Sequence, residues 1–269
     1  MDLRGGARRH RGLAALGAIA LAALVAAPAS AGAIDLAGHR ALYDLTLESS
    51  RGDVTAASGT MAYDVADACD GWAVTQKLAM HLVSRDDREI EMLSDYATFE
   101  AKDGSQLQFR TRQATDREVT ADINGTAEME PGRGGVARYT SPEGQERRLE
   151  KGTLLPMQHT AAIIAAAKAG KKFLAVPLFD GTTPDGAQDS TITVTSWGPP
   201  SPSAWPELAA LSSGRVHVAF FDQAAGAQQP DYEVTMRYWE NGVADELLMD
   251  FGDFVMRGKL KTLVFPKGC

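Results

Sequence analysis

From His39 to Phe265, apolar residues return at every second position in run after run, which commits the chain to strands with one buried face. Ala41, Tyr43, Leu45 and Leu47 alternate with more polar neighbours, and Met61, Tyr63 and Val65 repeat the scheme. Val216, Val218 and Phe220 do the same, as do Tyr232, Val234, Met236 and Tyr238. Asp103-Gly104 and Asn124-Gly125 punctuate these runs, as such dipeptides do at hairpin turns. The pattern predicts a mainly β protein: about a dozen or more short strands in one large antiparallel, curved, meandering sheet.

One segment departs from that rhythm. Leu155 to Gly170 (LPMQHTAAIIAAAKAG) reads as a helix, with Pro156 in the first turn and Gly170 as its stop. Its body is alanine and isoleucine with almost no polar face, so it should be buried on several sides, inside the curve of the sheet. Asp180–Asp189 and Gly198–Pro206 are rich in turn residues and are expected to form surface loops.

The first 31 residues carry an export pattern. Arg4, Arg8, Arg9 and Arg11 precede an apolar run from Leu13 to Ala27, and Ala29-Ser30-Ala31 supplies small residues for cleavage after Ala31. The run is short for a membrane span, which needs about 20 apolar residues. Residues 32–269 are then expected to form one β-rich domain in the periplasm. Losing four arginines and Asp2 takes the formal net charge from −8 to −11. A chain this acidic lacks the electrostatic footprint of a nucleic-acid binder. No later segment is apolar enough over its length to span a membrane as a helix.

The chain holds two cysteines, Cys69 and Cys269. In an oxidising compartment two lone thiols in one exported domain are expected to be joined; two unpaired, buried thiols are the alternative. Their spacing rules out a CxxC redox pair.

Catalytic signatures are missing: no G-x-S-x-G, no H-E-x-x-H and no phosphate-cradling glycine loop. No cofactor and no metal are expected. The acidic stretch with Asp180, Asp185 and Asp189 lacks the spacing of a calcium loop. His159 stands out because the first turn of a helix disfavours a positive charge and keeps the ring neutral. It is either a functional base or ligand, or a capping and packing residue. Trp197, Trp239, Phe220 and Phe251 are candidates to line a groove for an acyl chain or peptide, with core packing as the competing role.

Several short stretches carry a resemblance: G-H-R-A-L-Y-D-L at 38–45, G-T-M-A-Y-D at 59–64, C-D-G-W at 69–72, L-P-M-Q-H at 155–159, F-D-G-T at 179–182 and the terminal cysteine. Together they resemble the EipB family of periplasmic cell-envelope integrity proteins. The resemblance implies a β-spiral wrapped around a helix, reminiscent of periplasmic lipoprotein carriers, with a Cys69–Cys269 disulfide. It also implies a role in keeping the envelope intact under stress, without an established enzymatic activity. The expectation is therefore a non-enzymatic factor that binds a lipid-like ligand, a lipoprotein or an envelope protein partner. The competing readings are a hydrolase or transferase acting on envelope polymers, which needs paired carboxylates or an activated nucleophile converging on a cleft and would be favoured by a carboxylate and a serine or threonine beside His159, and a scaffold recruiting partners along sheet edges.

Overall fold

The computed structural model of the chain describes residues 34–130, 132–223 and 229–269; the export pattern lies outside the described residues. The strands are β1 (His39–Ser50), β2 (Val54–Asp67), β3 (Gly71–Ser84), β4 (Glu89–Ala101), β5 (Gln106–Thr115), β6 (Glu118–Glu130), β7 (Gly134–Ser141) and β8 (Glu146–Leu149). After the helix α1 (Pro156–Lys168) come β9 (Phe173–Leu178), β10 (Gln188–Val194), β11 (Ser213–Asp222), β12 (Tyr232–Trp239), β13 (Ala244–Asp250) and β14 (Phe254–Val264). They form one antiparallel sheet in the order β8-β7-β6-β5-β4-β3-β2-β1-β14-β13-β12-β11-β10-β9. Every pair of hydrogen-bonded neighbours in this order is consecutive in sequence except at the centre, where β1 meets β14 (Leu45 opposite Gly258).

The sheet curls until its two edges meet. Leu154, just past β8, forms a parallel bridge with Leu178 of β9. Its carbonyl accepts from the Phe179 N–H at 2.9 Å and its own N–H reaches the Pro177 carbonyl at 2.9 Å. A small core seals this seam. Phe109 meets Phe179 and Tyr139 edge-on, at 5.3 and 5.4 Å between centroids, above fully buried Leu107, Leu149 and Leu155.

Two sequence expectations are corrected here. Asn124-Gly125 lies inside β6, opposite Arg110 and Phe109 of β5, and is no hairpin turn. A Cβ on Gly125 would come within 2.3 Å of the Arg138 carbonyl oxygen and 2.6 Å of the Phe109 ring, so glycine is there to admit the neighbouring strand and that ring rather than to reverse the chain. The Asp180 loop reaches the surface at Asp185 and Asp189 but is anchored at its start. There it tucks under the inner face of the sheet, bolted by three hydroxyls from three strands. Tyr96 donates to the Asp180 carbonyl (3.1 Å), Thr111 to that of Gly181 (3.1 Å) and Tyr139 to that of Thr183 (3.1 Å). These partners are 44 to 84 residues away, so the loop's own composition could not reveal them. Gly181 is buried at φ +74°, where a Cβ would run into the Phe109 ring. Gly181→Ala is expected to cost about 2 kcal/mol, from the left-handed backbone plus overpacking, measured by denaturant unfolding.

The helix behaves as its composition demands: between Thr153 and Ala167 no residue is exposed. It crosses strand ends. Gln158 lies against the β4–β5 turn at Gly104, Thr160 lies near Gly242 of the β12–β13 turn, and Lys168 pairs with Glu240 at 2.7 Å. Its C-terminus is closed by Gly170 at φ +75°, with Gly170 N–H bonded to the Ala167 carbonyl and Lys171 N–H to that of Ala166.

A disulfide joins Cys69, in the β2–β3 turn, to Cys269, with Cα atoms 5.2 Å apart. Asp67 organises this corner, accepting from the Cys69 N–H (2.9 Å) and from Lys102 Nζ (2.6 Å). The tail between β14 and Cys269 passes over His39, whose ring sits 6.4 Å from Phe265 and 6.0 Å from Tyr63.

Candidate functional site

Beneath the helix the curled sheet leaves a cavity of about 700 Å³, within the range of small-molecule sites. The alternation that built the strands also builds its wall. Tyr232, Val234, Met236 and Tyr238, all on one face of β12, line it from end to end, a length of about 20 Å at the usual strand rise. Tyr43 and Met61 come from β1 and β2, and Leu247 and Met249 from β13. Pro156, Met157, His159 and Thr160 form the helix side. One end is bounded by Leu36, His39 and Asn241, the other by Asp185, Asp222 and Asp231.

The four aromatic candidates divide. Phe220 and Phe251 stand on the cavity wall, in a chain of ring contacts that runs Phe220–Tyr232–Phe251 at 6.0 and 5.3 Å. Trp197 and Trp239 do not line it. Trp239 is 3% exposed, packed in the core beneath the Arg237 guanidinium at 4.8 Å, and Trp197 is partly buried against the same core. Period two explains Trp239, which follows the wall residue Tyr238 and so points to the other face.

His159 does not cap the helix. That task falls to Glu100 of β4, which sequence reasoning missed. Leu155 at the N-cap has no side-chain oxygen, and the Glu100 carboxylate accepts from the Met157 and Gln158 N–H groups at 2.6 and 3.0 Å. A carboxylate suits the positive end of a helix dipole. Glu100 is nevertheless 1% exposed, and burial outweighs the two hydrogen bonds and pushes its pKa up to about 7. The signal available in the sequence was the helix start itself, which lacks Ser, Thr, Asp or Asn and so calls for a cap from elsewhere.

His159 Nε2 lies 2.8 Å from Ser190 Oγ, and that hydroxyl donates its one proton to the Val176 carbonyl at 2.6 Å. A carbonyl can only accept, so His159 Nε2 must be the donor to Ser190 and its Nδ1 carries the lone pair. Burial lowers the ring pKa to about 4, so the ring is neutral. The sequence asked whether His159 meets a hydroxyl and a carboxylate. It meets the hydroxyl, but the proton direction is opposite to that of an activated serine, and Ser190 is not on the cavity wall. Among the described residues no carboxylate pairs with His159, and no cluster of side chains with metal-ligating spacing is found.

His39, the other histidine on the wall, opens β1 within the G-H-R-A-L-Y-D-L stretch. Its Nδ1 donates to the Ala37 carbonyl at 2.8 Å, which leaves Nε2 as an acceptor, and no described group donates to it.

A single curled antiparallel sheet, sealed by its own edges and roofed by one helix over an elongated, largely apolar chamber, defines a barrel-like β protein. The chain belongs to the EipB-like family, whose family model matches residues 30–267. It is 29% identical over 252 residues to the cell envelope integrity protein EipB of Brucella abortus (strain 2308), covering 90% of this chain and 89% of that one. The crystal structure of a β-barrel-like protein of a domain of unknown function, also from Brucella abortus, matches with a TM-score of 0.78 at 27% identity. That match covers 87% of this chain and 100% of the other. Four of the stretches that carried the family resemblance reach the chamber, through His39, Tyr43, Met61, Tyr63, Met157 and Asp180, while C-D-G-W at 69–72 and the terminal cysteine build the disulfide corner instead. No described helix is long and apolar enough to cross a membrane.

Proposed function

We propose that the chain is exported to the periplasm and helps keep the cell envelope intact by enclosing a lipid-like ligand, a free lipid or the acyl chain of a lipoprotein, without catalysing a reaction on it. The observation that carries this reading is the elongated chamber along β12, whose length and apolar wall suit an extended hydrocarbon chain. The name of the Brucella relative supports the envelope role, and the export pattern and the disulfide support the compartment. The His159–Ser190 contact favours a positioning role over nucleophilic catalysis, because the serine proton is committed to a backbone carbonyl.

The test is recovery from the native periplasm. The protein should begin at Gly32, and organic extraction followed by mass spectrometry should release a stoichiometric lipid. Met236→Trp fills the middle of the chamber and should abolish that yield at a stability cost of about 1–3 kcal/mol. Equal lipid yield from the filled variant, or none from the parent chain, overturns the reading.

A further inference from the structure

The chamber wall carries neutral donors, among them the Gln76, Gln113 and Asn241 amides, but its formally charged groups are all carboxylates. Asp180, Asp185, Asp222 and Asp231 line it, Asp185 and Asp231 at its exposed mouth, and among the described residues no lysine or arginine does. Arg147, beside Gly186, donates instead to the Glu146 carbonyl and the Gln145 side chain. At the opposite end His39 is only 3% exposed, and its Nε2 is a buried acceptor without a partner. A buried polar atom left unpaired costs about 1–3 kcal/mol, so this nitrogen gains from any ligand that brings a donor. His159 adds a second bare acceptor, Nδ1, by the proton accounting given above. The tyrosines contribute little donation where it can be traced, since Tyr43 is spent on the Ala244 carbonyl and Tyr96 on that of Asp180. Neutral donors such as Tyr63 and Tyr232 remain, but a neutral donor does not offset the burial of a carboxylate or phosphate.

We infer that the chamber selects amphiphiles whose polar head donates hydrogen bonds and carries no negative charge, an alkyl ammonium above an alkyl alcohol, and that it rejects anionic heads. At the His39 end the head supplies the missing donor; at the aspartate end a positive head meets carboxylates. An anion finds a compensating cation at neither. This inference rests on the reading that the chamber encloses a lipid-like ligand, and it adds the class of head group.

The experiment compares probes of one tail length, dodecylammonium, dodecanol and dodecanoate, by calorimetry on delipidated full-length mature protein at pH 7.5 and below micellar concentrations. The ammonium should bind at least tenfold tighter than the carboxylate, with the alcohol between them. Asp185→Asn combined with Asp231→Asn should erase most of the ammonium's advantage over the alcohol. His39→Phe, which keeps a ring between Tyr63 and Phe265, should weaken ammonium and alcohol together and leave the carboxylate unchanged. If His39→Phe fails to fold, the aspartate variant and the probe order still decide. Dodecanoate binding as tightly as dodecylammonium overturns the head-group inference while the chamber reading stands. If no probe binds, both fall.

Discussion

Serine at position 69 or 269 should lower the unfolding free energy by about 5 kcal/mol, because the bridge closes a loop of 200 residues in the denatured chain. For a domain of this size that is a fall of about 10–20 °C in melting temperature. The variants should still fold, since the core clusters do not include either cysteine. The local consequence should be confined to one corner. Freeing the tail removes Phe265 from its place beside the His39 ring, so hydrogen exchange should accelerate around His39 and the β2–β3 turn first. A melting temperature unchanged by reductant would show that the staple contributes nothing.

A second large effect concerns pH. Glu100 and His159 are buried along the same helix, and their proton affinities shift in opposite directions. Glu100 titrates near 7 in the folded protein against an ordinary 4.5, so between those values the folded state holds a proton that the unfolded state has released. Stability contributed by Glu100 is therefore present below pH 4.5 and lost as pH rises towards 7. His159 titrates near 4 against an ordinary 6.5, so there the unfolded state holds the extra proton. Stability contributed by His159 is present above pH 6.5 and lost as pH falls towards 4. Each amounts to about 3 kcal/mol over its window, and between pH 4.5 and 6.5 the two slopes oppose each other. Asp180, raised by burial, acts in the direction of Glu100, and His39, lowered by it, in the direction of His159.

The parent chain should thus show a flat stability profile from pH 4.5 to 6.5, and each substitution should tilt it. Glu100→Gln should leave a protein that weakens as the solution is acidified. His159→Gln, which retains a donor for Ser190, should leave one that strengthens over the same range. Urea unfolding at pH 4.5, 5.5, 6.5 and 7.5 measures the slopes. Profiles parallel to the parent in both variants would refute the opposed linkage.

The strands were legible because alternation is local: Ala41, Tyr43 and Leu45 announce β1 wherever its partners lie. The helix was legible from Pro156, Gly170 and its unbroken apolar body, and its bounds differ from expectation by a residue or two. What local pattern could not supply was the company a residue keeps. Glu100 reads as an ordinary polar position in β4 until the helix it caps arrives 57 residues later. The Asp180 loop looks solvated because the hydroxyls that hold it come from Tyr96, Thr111 and Tyr139. Gly125 looked like a turn because nothing nearby says that the β7 backbone at Arg138 and a phenylalanine ring need its space. Part of the wall was readable after all. Applying strand parity strictly to β12 would have placed Tyr238 inside and turned Trp239 away, whereas hydrophobicity alone made the tryptophan the more attractive candidate.

The meeting of β1 with β14 has a consequence for how the molecule is assembled. Each wing, β1 to β8 and β9 to β14, is a run of hairpins that can zip up from neighbouring residues alone. The joint between the wings cannot form until the last strand has been delivered. Until then two unpaired edges stand open, each a template for another strand. Folding should accordingly be slow at its final step and vulnerable to self-association just before it, so an escort that covers a bare edge would be most useful at that moment.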